Sequence, residues 1–63
     1  MKPTYEFNGV SISKTKIIAL VGKKTFEAIL EDAKEAYLKD PDDYVAYDIG
    51  YGNLHIEFED EQH

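Results

Sequence analysis

Residues 4–13 read TYEFNGVSIS, an Asn-Gly pair between two runs that alternate apolar and polar side chains. Asn-Gly in this setting is the strongest short-range signal for a β-hairpin, because both turn residues must adopt positive φ angles. Glu6 and Ser11 lie on one face of such a hairpin. A two-residue turn places four apolar side chains together on the other face: Tyr5, Phe7, Val10 and Ile12. The stretch therefore predicts a hairpin with one apolar face.

The middle of the chain carries helical spacing. Residues 14–21 fit either a short helix that begins at a Ser13 cap and ends at Gly22, or a buried strand through the apolar run at 17–21, and we favour the helix. For the next segment Thr25 is the predicted cap, and Asp40-Pro41 marks the end. Its apolar residues follow the i, i+3, i+4 rule of an amphipathic helix: Phe26, Ile29, Leu30, Ala33 and Tyr37.

The last third of the chain predicts a second hairpin. Two runs of alternating apolar and polar residues, 44–49 and 54–59, indicate half-buried strands joined by a loop at 50–53. Residues 60–63 are expected to form a frayed tail. Two β-hairpins that flank a helical middle predict an α+β fold, with helix packed on one face of a small antiparallel sheet.

The chain length of 63 residues predicts one domain, residues 1–63, with a thin core. The chain has no cysteine, so disulfides and a Cys/His zinc site are not expected to supply stability, and a cytoplasmic location is the simplest interpretation. No apolar run approaches the ~20 residues that span a bilayer. Self-association would add buried surface, and we expect a homodimer.

The charge distribution narrows the class of partner. Net charge is −6: residues 1–24 hold five lysines and one acid, whereas residues 25–63 hold two lysines and twelve acids. Such a surface repels nucleic acid and anionic membranes and attracts basic partners. The alternative is that the excess acid only keeps a small protein in solution.

The familiar site motifs fail on their spacing. Residues 22–25 (GKKT) resemble the end of a phosphate-binding loop, but Ile17 stands where that loop needs a glycine. Residues 50–52 (GYG) precede a strand instead of a helix, which excludes a dinucleotide fingerprint. The acids of the loop at 40–43 lack the glycine and glutamate of a calcium loop. With no evident nucleophile and base, we expect a protein that is not an enzyme and has no cofactor and no metal.

Regular spacing of acidic residues is the feature that points to a function. Glu27, Glu31 and Glu35 recur every four residues, about 6 Å apart along a helix. Glu57 and Glu59, with Glu61 beyond them, project from one strand face at roughly 6.6 Å spacing. Successive phosphates of a nucleic-acid strand lie at a comparable distance. We therefore interpret the carboxylates as stand-ins for phosphates, although exposed glutamates at these spacings are also ordinary.

Other exposed residues would enlarge the same contact surface. Asp42, Asp43 and Asp48 add negative charge, and Tyr44 and Tyr51 add contact area, since interfaces favour tyrosine. His55 is expected on the polar face of its strand, facing solvent. Together with the glutamates, the three aspartates and two tyrosines form the predicted partner-binding set.

In length, acidity, lack of cysteine and α+β pattern the chain resembles the small early proteins with which bacteriophages disable host factors, in particular DNA-mimic inhibitors of the HU nucleoid protein. The acidic stretch at 27–61 carries the resemblance, and the basic first third departs from it. The resemblance implies that the protein occupies the basic DNA-binding groove of an HU-like host protein, without binding nucleic acid or membrane itself. The alternatives are a self-assembling structural module, and an antitoxin or adaptor that binds one folded partner.

Overall fold

The computed structural model describes residues 2–59, so the predicted tail at 60–63 and Glu61 lie outside the described residues. Four strands and two helices follow in the order β1 (Lys2–Phe7), β2 (Val10–Ser11), α1 (Lys14–Val21), α2 (Lys23–Lys39), β3 (Ala46–Asp48) and β4 (Asn53–Glu59). The strands form one antiparallel sheet in the order β2-β1-β4-β3. The predicted α+β fold, with two hairpins flanking a helical middle, is confirmed.

The first hairpin has the predicted register. Phe7 is opposite Val10, and the turn residues Asn8 and Gly9 have φ angles of 51° and 83°. The predicted apolar face is only partly buried, because Val10 is 68% exposed. Val10 lies on the predicted face but stays exposed because β2 is a two-residue edge strand, whereas the core gathers over the central strands β1 and β4.

One glycine separates the two helices. Ser13 caps α1 as predicted, accepting a hydrogen bond of 3.2 Å from the Lys16 N–H. Gly22, at φ 91°, ends α1 and also precedes α2, where its carbonyl accepts the Phe26 N–H at 3.0 Å. The predicted Thr25 cap is therefore wrong: α2 begins at Lys23 without a side-chain cap, because Gly22 makes the whole turn in one residue.

The two central strands come from opposite ends of the chain. β1 pairs with β4 from Lys2 opposite Glu59 to Phe7 opposite Leu54, so the two predicted hairpins join into one sheet. Pro3 has no N–H group to donate. It is tolerated in β1 because its backbone nitrogen faces the β2 side of the strand, where β2 has already ended. β3 is shorter than the predicted run at 44–49 and keeps only three residues.

The core lies between the helices and one face of the sheet. Its buried members are Ile17, Phe26, Ala33, Leu54, Ile56 and Phe58. Tyr5 meets Phe26 edge to face, with ring centroids 5.7 Å apart, and Tyr37 meets Phe58 at 5.3 Å. The predicted inner residues of α2 all contribute, Phe26 and Ala33 fully buried and the other three packed at the margin. Within residues 2–59, the other face of the sheet carries no helix.

Candidate protein-binding surface

Helix α2 carries the first predicted set of acids. Its boundaries enclose four lysines and four acids, so the helix as a whole is electrically neutral. Lys23 precedes Glu27 by four residues and Lys39 follows Glu35 by four, spacings at which opposite charges on a helix attract. The predicted glutamate stripe therefore lies among compensating lysines. The predicted cap at Thr25 left Lys23 and Lys24 outside the helix, whereas α2 includes both.

The negative charge of the described chain collects after α2. Residues 40–59 contain no lysine or arginine and six acids, all exposed: Asp40, Asp42, Asp43, Asp48, Glu57 and Glu59. We call these six side chains the acidic end. By contrast, residues 2–22 contain three lysines and one acid. Positive charge is therefore in excess on β1, β2 and α1, and negative charge is in excess on β3, β4 and the loops beside them.

The two predicted glutamate sets lie on opposite sides of the molecule. Phe26 and Ala33 point from α2 into the core, while Glu35 lies about 180° around the helix from Phe26. In β4, Ile56 and Phe58 face the helices, so Glu57 and Glu59 project from the helix-free face of the sheet. The sets do not form one continuous surface.

The helix-free face places other residues beside these glutamates. Glu57 is opposite Thr4, Glu59 is opposite Lys2, and His55 is opposite Glu6. Glu6 therefore adds a carboxylate to the helix-free face, although it was not in the predicted partner-binding set. The sequence predicted that Glu6 lies on the polar face of the first hairpin. It did not predict that β1 pairs with β4, and this pairing is what brings Glu6 close to Glu57.

The loop that follows α2 has a fixed turn. The Asp40 carboxylate accepts the Asp42 N–H at 3.1 Å, and the Asp40 carbonyl accepts the Asp43 N–H at 3.0 Å. This Asx-type turn leaves the side chains of Asp42 and Asp43 on the surface. Asp48 has a different role, since its carboxylate accepts the Gly50 N–H at 2.9 Å and so shapes the second hairpin loop.

Tyr44 and His55 form a stacked pair on the surface. Their ring centroids are 4.1 Å apart with an interplanar angle of 10°, and Nδ1 of His55 lies 2.8 Å from the Val45 carbonyl oxygen. The predicted solvent-facing histidine is instead half-buried beneath the tyrosine. Tyr44 itself is 72% exposed, so the stack presents a positioned aromatic face to solvent. Tyr51 is exposed as predicted, in the second hairpin loop.

A groove of about 300 Å³ runs between this loop and β4. Its floor is apolar and aromatic, with contributions from Ala33, Tyr37, Ile56 and Phe58. Its rim carries three carboxylates, those of Asp42, Asp43 and Glu57, and the Tyr44 ring. This groove unites predicted surface residues that are dispersed in the sequence.

Three further observations bear on the site. Among residues 2–59, no group of three or more histidine, aspartate or glutamate side chains is arranged to hold a metal ion. Neither helix in that part of the chain has the length and apolarity needed to cross a membrane. Comparisons with known protein families, with curated proteins and with solved structures found no match to this chain.

Proposed function

We propose that this protein is a non-enzymatic binding module whose acidic end occupies a basic surface of a DNA-binding protein. One observation carries the proposal: residues 40–59 expose six carboxylates and contain no lysine or arginine. This excess of carboxylates, offset in the sheet by Lys2 opposite Glu59, creates a negative potential that steers basic partners toward this part of the surface.

The spacing of the carboxylates supports a target surface that normally binds phosphates. Glu57 and Glu59 are two residues apart on an extended strand, roughly 6.6 Å along it. The Asx turn adds Asp42 and Asp43 as a second cluster across the groove. A DNA-binding protein offers lysine and arginine side chains at comparable intervals. The β4 side supports this mimicry better than α2, whose acids are balanced by lysines.

The mechanism is competition and involves no bond making or breaking. Carboxylates of the acidic end pair with lysine and arginine side chains that otherwise contact phosphates, so that DNA and the protein exclude each other. The exposed Tyr44 ring adds contact area beside the charges. Because the contacts are ionic and lie at the surface, salt should weaken the complex.

A displacement assay with an HU-type nucleoid protein and labelled duplex DNA tests the proposal. Addition of the protein should release DNA from the nucleoid protein, while the protein alone should not shift the labelled DNA. A stable complex that contains all three components would contradict the competitive mechanism. Direct binding of DNA by the protein alone would contradict it as well.

The charge asymmetry favours self-assembly as a second candidate function. Lys2, Lys14 and Lys16 of one copy could meet the acidic end of another, and an expected homodimer would also extend the thin core. Light scattering at low and high salt distinguishes the two functions. Self-assembly predicts a mass above that of the monomer that falls as salt is added, whereas a pure mimic keeps one mass in both conditions.

A further inference from the structure

The last three residues of strand β4 have an open edge. β1 flanks β4 along Leu54–Glu59, but β3 pairs only with the first three residues of β4, Asn53, Leu54 and His55. Val45, just before β3, continues this register opposite Ile56, so within residues 2–59 the segment from Glu57 to Glu59 has no neighbouring strand on the β3 side. Such an edge offers backbone donors and acceptors to another extended chain.

The direction of these backbone groups follows from the register. Asn8 donates its N–H to the Asn53 carbonyl at 3.0 Å, so the residues of β4 that bond to β1 are Asn53 and every second residue after it. On the β3 side of β4, the Ile49 N–H donates to the Gly52 carbonyl at 3.0 Å. Hydrogen-bonded pairs recur every second residue, so Tyr47 and Leu54 are the next such pair. Ile56 and Phe58 therefore direct their N–H and C=O groups toward this side of β4. In the register of β3 the groups of Ile56 lie opposite Val45, so the groups of Phe58 are the ones that face the open edge.

The groove described above lies along this edge. Its lining includes side chains from both faces of β4, Ile56 and Phe58 from the core side and His55 and Glu57 from the helix-free side. A cavity bordered by both faces of a strand must run beside the strand's backbone. Its far wall is the loop that carries Asp42 and Asp43. The edge is thus accessible, with an apolar floor on one side and carboxylates on the other.

We propose that this groove binds an extended basic segment of a partner protein, which adds to the sheet as a fifth strand next to β4. Backbone hydrogen bonds to the N–H and C=O groups of Phe58 hold the segment, as in other cases of strand addition. Alternate side chains of the segment then point to opposite faces: apolar ones onto the floor beside Tyr37, and lysines or arginines toward Glu57 and Glu59. The inference rests on the proposed function for the basic character of the partner.

Charge favours a basic segment over a second copy of this chain. Two β4 edges paired antiparallel and centred on Phe58 would place Glu57 directly opposite a glutamate of the other copy. Like charges opposite each other are destabilising, and the loop acids would add to the repulsion. Lysine or arginine side chains in the added strand convert the same positions into attractive pairs.

A synthetic peptide that alternates lysine with valine is the probe, with the whole 63-residue chain as its receptor. A matched control peptide has the same sequence but is N-methylated at the residues whose amides would bond to β4, which keeps the charge and removes the hydrogen bonds. A second control replaces lysine with glutamate. We expect binding of the first peptide only. NMR hydrogen exchange should then show the Phe58 amide newly protected, while the amides of His55 and Glu57, which face β1, are protected with and without peptide.

Protein variants provide a further control. Glu57→Lys should weaken peptide binding by about fivefold or more, whereas Glu31→Lys, the same charge change on α2, should change it by less than about twofold. Equal binding of the N-methylated peptide would overturn strand addition, and so would protection of the Phe58 amide in the free protein, which indicates a second copy at the edge. DNA displacement by the protein without peptide binding would refute this inference alone. Peptide binding without DNA displacement would refute the proposed mimicry alone.

Discussion

The hydroxyl group of Tyr47 donates a hydrogen bond of 2.7 Å to Oδ2 of Asp32, and this bond ties the short strand β3 to helix α2. Burial, together with the hydrogen bond and the negative charge of Asp32, raises the pKa of the Tyr47 hydroxyl well above its ordinary value of 10.0. β3 pairs with β4 over only three residues. The bond therefore helps to position the strand that precedes the second hairpin loop.

Replacing Tyr47 by phenylalanine should lower the free energy of unfolding by about 1 kcal/mol at neutral pH, because Asp32 loses its partner. Urea denaturation measures this loss. Since the pKa is raised in the folded protein, the contribution is fully present below pH 10.0 and is lost as the pH rises above it. The parent should therefore lose more stability between neutral pH and alkaline pH than Tyr47→Phe does. Tyr51→Phe, at an exposed position, is the matched control and should behave like the parent.

Much of the fold could be predicted because local chemistry and tertiary structure agree. Asn8-Gly9 specifies its turn through positive φ, and the alternation of Leu54, Ile56 and Phe58 specifies which face is buried. The start of α2 could not be predicted in the same way. Thr25 is a better capping residue than Gly22, but Gly22 alone can adopt a φ of 91°, and that lets α2 follow α1 directly.

Phe26→Ala should cost roughly 3 to 5 kcal/mol, since the ring is 1% exposed and fills the centre of the core. That is most of the stability expected of a domain of this size. Leu30→Ala should cost less than Phe26→Ala because Leu30 packs at the margin of the core. Thermal unfolding by circular dichroism checks both. Equal melting temperatures for the two variants would show that the packing around Phe26 is described wrongly.

Gly22→Ala should destabilise the fold by about 1 to 3 kcal/mol, because a φ of 91° with a ψ of 154° is a conformation that L-residues avoid. A Cβ at this position would meet no atom within 4 Å, so the cost is conformational and not steric crowding by neighbours. Chemical synthesis with D-alanine at the same position separates the two causes. The D-alanine protein should be at least as stable as the parent, and a loss as large as that of L-alanine would rule out the conformational explanation.

The candidate site could be predicted only in part. The sequence identifies which residues are acidic, and the exposed positions of Asp42, Asp43, Glu57 and Glu59 agree with that prediction. It could not show that Asp48 is engaged in a turn, that His55 lies under Tyr44, or that a groove separates the loop from β4. Each of the last two depends on contacts between segments that are distant in the chain.

Charge reversal in two matched pairs tests which acids bind the partner. Glu57→Lys with Glu59→Lys, and Glu31→Lys with Glu35→Lys, change the net charge equally, but only the first pair belongs to the acidic end. The first variant should bind an HU-type protein more weakly by on the order of 1 kcal/mol for each contact that is partly desolvated. Its binding should also depend less on salt, because fewer ion pairs remain to be screened. The second variant should lose less affinity, since the lysines of α2 already offset those glutamates. Circular dichroism must show both variants folded, particularly the first, where Glu59→Lys would place a second positive charge opposite Lys2. If folded variants of both pairs displace DNA as well as the parent does, the acidic end is not the binding surface.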